Sequence, residues 1–158
     1  CAACHDPGGA RTGTVIPLDE ISTDPEHVRT WRAKDAERMN RLLWALGLGD
    51  ARMRPAQDGY VAKPLTGAWL LGPYLHNGSV PTLADLLQPQ ANRPAVFWRG
   101  YDVLDQTRVG FVATGPQAEA FGFRFDTGER GNGNAGHLYG TDLDDDSRAA
   151  LLAYLKTL

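Results

Sequence analysis

Cys1-Ala2-Ala3-Cys4-His5 (CAACH, residues 1–5) holds both cysteines of the chain, with a histidine directly after the second. The spacing Cys-x-x-Cys-His is that of haem c attachment. Each residue meets a requirement of that chemistry. Two thiols add across two vinyl groups, and the two intervening residues match the separation of those vinyls. The adjacent histidine then falls under the ring and offers an axial nitrogen to iron.

Three other readings compete. A dithiol redox pair follows a strand in a βαβ unit, and nothing in the sequence supports such a strand. Structural zinc usually takes four protein ligands. Here it would have to recruit two of His27, His76 and His137, and no His-x(3–5)-His pair exists. A lipidated first cysteine would account for Cys1 and leave Cys4 and His5 as accidents. Cytochrome c domains carry the haem motif at the end of an N-terminal helix. A chain starting at the motif is therefore expected to be a fragment of a longer polypeptide.

Working outward, Asp6-Pro7-Gly8-Gly9 opens a loop expected to run over 6–22. Asp24-Pro25 reads as a helix start, with Asp24 as N-cap and Pro25 at the first helical position. Val28, Trp31, Met39, Leu42, Leu43 and Leu46 follow at mostly helical spacing. Asp35 interrupts it, so one helix or two are expected, ending at Gly47 and Gly49. Residues 50–81 show no clear period. Thr82 caps a short helix ending near Leu87, with Asp85 in the place of the usual Glu. Aromatics, valines and glycines between 97 and 125 suggest short strands and one hairpin. The chain closes in a helix from Asp144 with Leu151, Leu155 and Leu158 on one face. The fold class expected is mainly α: a single cytochrome c-type haem domain over 1–158, with long irregular loops and a small β hairpin element.

The net charge of -3 comes with no Lys/Arg cluster, so nucleic-acid binding has no electrostatic footprint. No apolar run approaches the ~20 residues of a membrane span.

If His5 binds iron from one side, the opposite axial position is open to Met39, Met53, His27, His76 or His137. Met39 sits on an apolar helical face, where core packing is the default. Met53 is flanked by arginines, and His27 lies in a first helical turn. His76 could face the haem or a backbone carbonyl. His137 stands in the glycine-rich stretch GNGNAGHLYG, whose backbone is free to approach a porphyrin closely. Gly131-x-Gly133-x-x-Gly136 in the same loop matches the dinucleotide fingerprint, but no helix follows it as that fingerprint requires. Leu65, Trp69 and Tyr74 are expected to line a haem pocket, because their stretch is the richest in apolar residues.

KPLTGAWLLGPYLHNGSVPTLADLL (residues 63–87) resembles a segment of the bacterial di-haem cytochrome c peroxidase superfamily, and most closely of its rubber-oxygenase-like di-haem cytochromes. The resemblance rests on Cys1 to His5, Pro73 to Pro81, Arg93 to Phe111, Asn134 to Thr141, and Leu151 to Lys156, in that order. It implies the C-terminal haem domain of such a protein, without the upstream helix and the second haem domain. It implies one haem c per chain, bound covalently through Cys1 and Cys4, with His5 as proximal ligand. The peroxidases can use a methionine where this chain has Leu75. The rubber-oxygenase-like group uses a histidine near the C-terminus, which His137 matches, and this leaves His76 a supporting role in the pocket. The implied function is low-spin, bis-histidine electron transfer within a peroxidase- or oxygenase-like oxidoreductase. The alternative is a self-contained catalytic haem with an open sixth position. The implied partner is a second haem domain or a redox protein, and the implied location is periplasmic or secreted.

Overall fold

The 18 glycines and 10 prolines cut the chain into short elements. The computed structural model describes residues 1–158 apart from Asp50, Ala51 and Ala56, so the aperiodic reading at those three positions lies outside the described residues. The first part of the chain holds α1 (Ala2–His5), β1 (Val15–Pro17), α2 (Leu18–Ile21), α3 (Glu26–Arg29), α4 (Ala33–Ala45) and β2 (Gly59–Val61). Then come α5 (Leu83–Leu86), β3 (Val96–Arg99), β4 (Leu104–Asp105), β5 (Gly110–Phe111), α6 (Pro116–Phe121), β6 (Phe123–Asp126) and α7 (Asp145–Leu155).

The expected mainly α class is incorrect. Helix accounts for 34% of the structure and strand for 14%. Among the described residues the strands form three two-stranded antiparallel sheets, β1 with β2, β3 with β6, and β4 with β5. Only α4 and α7 exceed two turns. The rest stop after about one turn, because a turn former or a β-rich run follows before an amphipathic face can build up.

Capping explains the boundaries. The interrupted helix is two helices. Asp35 accepts the Arg32 N–H through Oδ2 at 3.0 Å, so the residue that breaks the apolar pattern starts α4. Gly47, with φ +75°, ends it, as a C-terminal glycine does. α3 starts one residue later than expected, at Glu26 with Pro25 in the cap position, and Asp24 Oδ1 takes the Glu26 N–H from one residue further out. Thr82 Oγ1 accepts from Asp85 N at 3.1 Å and caps α5. Asp144 Oδ1 takes the Ser147 N–H at 2.7 Å and caps α7.

Two apolar clusters hold these pieces together. Tyr74, Val80, Leu83, Val109 and Leu155 form one, with Leu65, Leu151, Leu152 and Leu158 packed against it. The apolar face of α7 therefore closes on the segment 74–83. The other joins Phe97, Ala113 and Phe125, with the two phenyl rings 5.1 Å apart between paired strands β3 and β6. Phe97 is 0% exposed, so Phe97→Ala is expected to cost about 3–5 kcal/mol. Urea unfolding measures this, and a loss under about 1 kcal/mol would show that the ring is not a core element.

Candidate functional site

The motif at the start of the chain forms one helical turn. The N–H groups of Cys4 and His5 both donate to Cys1 O, at 3.1 and 2.9 Å. Positions three and four apart share a helix face, so Cys1, Cys4 and His5 point to one side. Both thiols are free, Cys1 exposed and Cys4 partly buried. The following loop folds back over the turn, with Arg11 N–H donating to Ala3 O at 2.9 Å.

The antiparallel pair β1 and β2, whose strands are joined through α2, α3 and α4, then positions two imidazoles. Just past β2, the Lys63 carbonyl accepts from His5 Nδ1 at 2.7 Å. With the proton on Nδ1, a neutral imidazole keeps the Nε2 lone pair free, the arrangement found in histidine metal ligands. Just past β1, α2 ends at Ile21, whose carbonyl accepts the His137 N–H at 2.8 Å. His137 adopts φ +47°, a left-handed conformation that costs a non-glycine residue of the order of 1–2 kcal/mol. Such strain persists where surrounding contacts over-determine it. Those contacts are present. Asn77 Nδ2 donates to the Gly131 and Gly133 carbonyls, Ser79 Oγ donates to Gly133 O, and Gly133 N–H donates to Asp24 Oδ2.

The outcome is that the His5 and His137 rings are neighbours, with centroids 6.1 Å apart and planes tilted by 51°. Two imidazole nitrogens each about 2 Å from a single metal ion place their ring centres about 6 Å apart, so the pair has the span of a bis-histidine iron site. His137 Nδ1 is buried without a hydrogen-bond partner. Burial pushes the His137 imidazole down to about 4, and the neighbouring His5 imidazole adds to the effect. It is therefore neutral near pH 7, the form that binds metal. Tyr139 packs edge-on against the His137 ring at 5.2 Å, and its hydroxyl donates to Glu20 Oε1, which is paired with Arg11. These donors suit a haem held by thioethers at Cys1 and Cys4. A four-ligand zinc site finds no such support. Among the described residues, no three His, Cys, Asp or Glu side chains converge.

The remaining expected residues lie elsewhere. His76 stacks on Tyr60, with centroids 3.8 Å apart, and meets His27 edge-on at 5.8 Å. Its Nε2 is buried and unpartnered, and burial followed by repulsion from His27 pushes it down to about 4. Tyr74 and Leu65 belong to the apolar core, and the Tyr74 hydroxyl donates to Ala68 O. Trp69 sits on a single 3-10 turn and is 38% exposed. Met53 is held at its backbone by the Asn40 side chain. Sequence reasoning missed the Lys63 and Ile21 carbonyls, the partly buried side chain of Asn77 and the buried polar side chains of Ser79 and Arg93. A carbonyl acceptor has no residue-type signature. A buried arginine does leave one signal, a cation directly before a proline and between two apolar segments.

Residues 59–99 match a family model described as RoxA-like, cytochrome c-like. Two proteins of Sinorhizobium fredii (strain NBRC 101917 / NGR234) are similar. One is the uncharacterized protein y4iJ, 44% identical over 108 residues, which are 63% of this chain and 18% of that protein. The other is the uncharacterized protein y4iM, 55% identical over 62 residues, 39% of this chain and 14% of that protein. The chain thus spans less than a fifth of the length of either. The family match covers β2, the segment that turns toward His5, the Asn77–Ser79 brace and Arg93, and it supports a cytochrome c-like haem domain with haem c as its cofactor.

Proposed function

We propose that the chain is a haem c electron-transfer domain of a larger, periplasmic or secreted oxidoreductase of the peroxidase or oxygenase kind. In this reading His5 and His137 are the axial ligands and Cys1 and Cys4 the covalent anchors. The neighbouring imidazoles, 6.1 Å apart with His5 oriented by the Lys63 carbonyl, carry the proposal. Haem supplies the one-electron couple. His137 is held neutral by burial and both side chains are held by backbone hydrogen bonds, so that little would rearrange when charge changes. Two imidazoles also favour ferric iron more than a histidine–methionine pair does, which suits a low-potential relay. The electron would pass to or from a second haem domain or a redox protein. Extracytoplasmic placement follows from where bacteria attach haem c. Among the described residues no helix is long and apolar enough to cross a membrane.

The test is expression with a working cytochrome c maturation system. One haem per chain is expected, retained on denaturation, with a low-spin ferric spectrum and a ferrous form that resists carbon monoxide. Colourless protein would overturn the haem assignment. A haem that takes up carbon monoxide at once would instead favour a self-contained catalytic site with an open sixth position.

A further inference from the structure

Arg93 is 5% exposed, and among the described residues its guanidinium bonds no carboxylate. Asp85, the acidic group close enough to influence it, is bridged to Arg108. All five N–H donors of the guanidinium instead meet backbone carbonyls. Nε donates to Gln88 O at 3.2 Å and Nη2 to Leu86 O at 3.1 Å. These acceptors lie at and beyond the C-terminal end of α5, where helix carbonyls lack partners of their own. Nη1 donates to Asn134 O at 2.6 Å and Gly136 O at 2.9 Å, and Nη2 also donates to His137 O at 3.3 Å. Three of the five acceptors thus belong to the loop that carries His137, including the carbonyl of His137 itself.

A buried cation without a counter-ion is expensive. Burial accordingly pulls the Arg93 guanidinium below its ordinary value. A core brace alone could have been built from an apolar side chain at lower cost. An arginine is required where one rigid, planar group must fix several carbonyls at once. The residue so fixed is the one with the left-handed, strained backbone.

We propose that Arg93 is a positioning residue for His137: it locks the 134–137 loop so that the imidazole stays on the axial line of His5, and thereby sets the coordination state of the haem. This rests on the reading of His137 as an iron ligand. Arg93 touches neither imidazole nor iron in this scheme. It acts through the loop.

The test uses the ferric, haem-loaded protein and follows cyanide association, which must wait for His137 to leave. Arg93→Gln is expected to bind cyanide at least about tenfold faster than the parent, since it loses charged hydrogen bonds to the loop. Arg93→Lys, which keeps the charge but not the fork, should fall between the two. Leu155→Ala loosens the apolar core without touching the loop and should bind at the parental rate. His137→Gly should bind fastest and separates the two ideas. A fast His137→Gly with a parental rate in both Arg93 variants would overturn the positioning role and leave the ligand assignment standing. A low-spin His137→Gly that binds cyanide slowly would remove the ligand assignment and the positioning role with it. If Leu155→Ala is as fast as Arg93→Gln, the effect is general loosening and the proposal fails. Should Arg93→Gln not fold, Arg93→Lys decides alone, a faster rate supporting the role and a parental rate refuting it.

Discussion

Replacing His137 with glycine is expected to convert a low-spin ferric haem to high spin and to raise its affinity for cyanide by orders of magnitude. The side chain removed neighbours His5 at 6.1 Å and comes from a loop whose backbone is held on several sides. Glycine also accepts the left-handed φ at this position without strain, so the loop itself should survive and only the nitrogen be lost. Exogenous imidazole should then restore the low-spin spectrum. His76→Gly is the matched control. His76 packs with Tyr60 and His27, so its loss should leave the spectrum low-spin. The opposite pattern, with His76→Gly turning high-spin and His137→Gly unchanged, would transfer the ligand role to His76. His137→Met should keep six-coordination and raise the midpoint potential, since a thioether favours ferrous iron.

Gly136→Ala is expected to have an effect nearly as large without altering any proposed ligand. Gly136 has φ +75°, and a Cβ built there would lie 2.4 Å from Ile21 O, 2.4 Å from the Ser22 carbonyl carbon and 2.5 Å from Ser22 O. The conformation alone costs alanine about 1–2 kcal/mol, and backbone atoms give way less readily than a side-chain tip. The loop must lift off α2, and the bond from His137 N–H to Ile21 O breaks with it. The expected result is a stability loss of about 2 kcal/mol or more together with a shift toward high spin. Gly131→Ala calibrates this. Gly131 has φ +87°, but its Cβ would meet only Glu26 Cβ, at 3.7 Å. It should lose about 1–2 kcal/mol and stay low-spin. Equal spectra for the two variants would show that the close approach to α2 does not matter for the haem.

The contrast between legible and illegible parts has a physical cause. Thr82 and Asp144 were readable because a cap and its helix are neighbours in sequence. The face of α7 was readable because its leucines repeat at helical spacing. The strands β3 and β6 fall within the aromatic stretch flagged as β, whereas α6 between them was missed because its few residues are too short to show a period. The expected loop over 6–22 in fact contains β1 and α2. A three-residue strand shows no alternation, and the partner of β1 lies beyond α4. These overlooked pieces place His5 and His137. The Cys-x-x-Cys-His spacing could be read from five consecutive residues. The closeness of the two imidazoles depends on the carbonyls of Lys63 and Ile21, which any residue could supply.

The two sides of the proposed iron site are built on different scales of the chain. Cys1, Cys4 and His5 are arranged by a single turn of helix, a structure that can form in microseconds or less. His137 takes its position from Ile21, Asn77 and Arg93, none of them near it in sequence. Contacts of such long range form late in folding. In the proposed scheme, anchoring of the porphyrin need not wait for the fold, whereas binding by His137 would mark its completion. If His5 and His137 hold the iron as proposed, its spin state would report maturation, high in a tethered but unfinished chain and low once the distant segments have met.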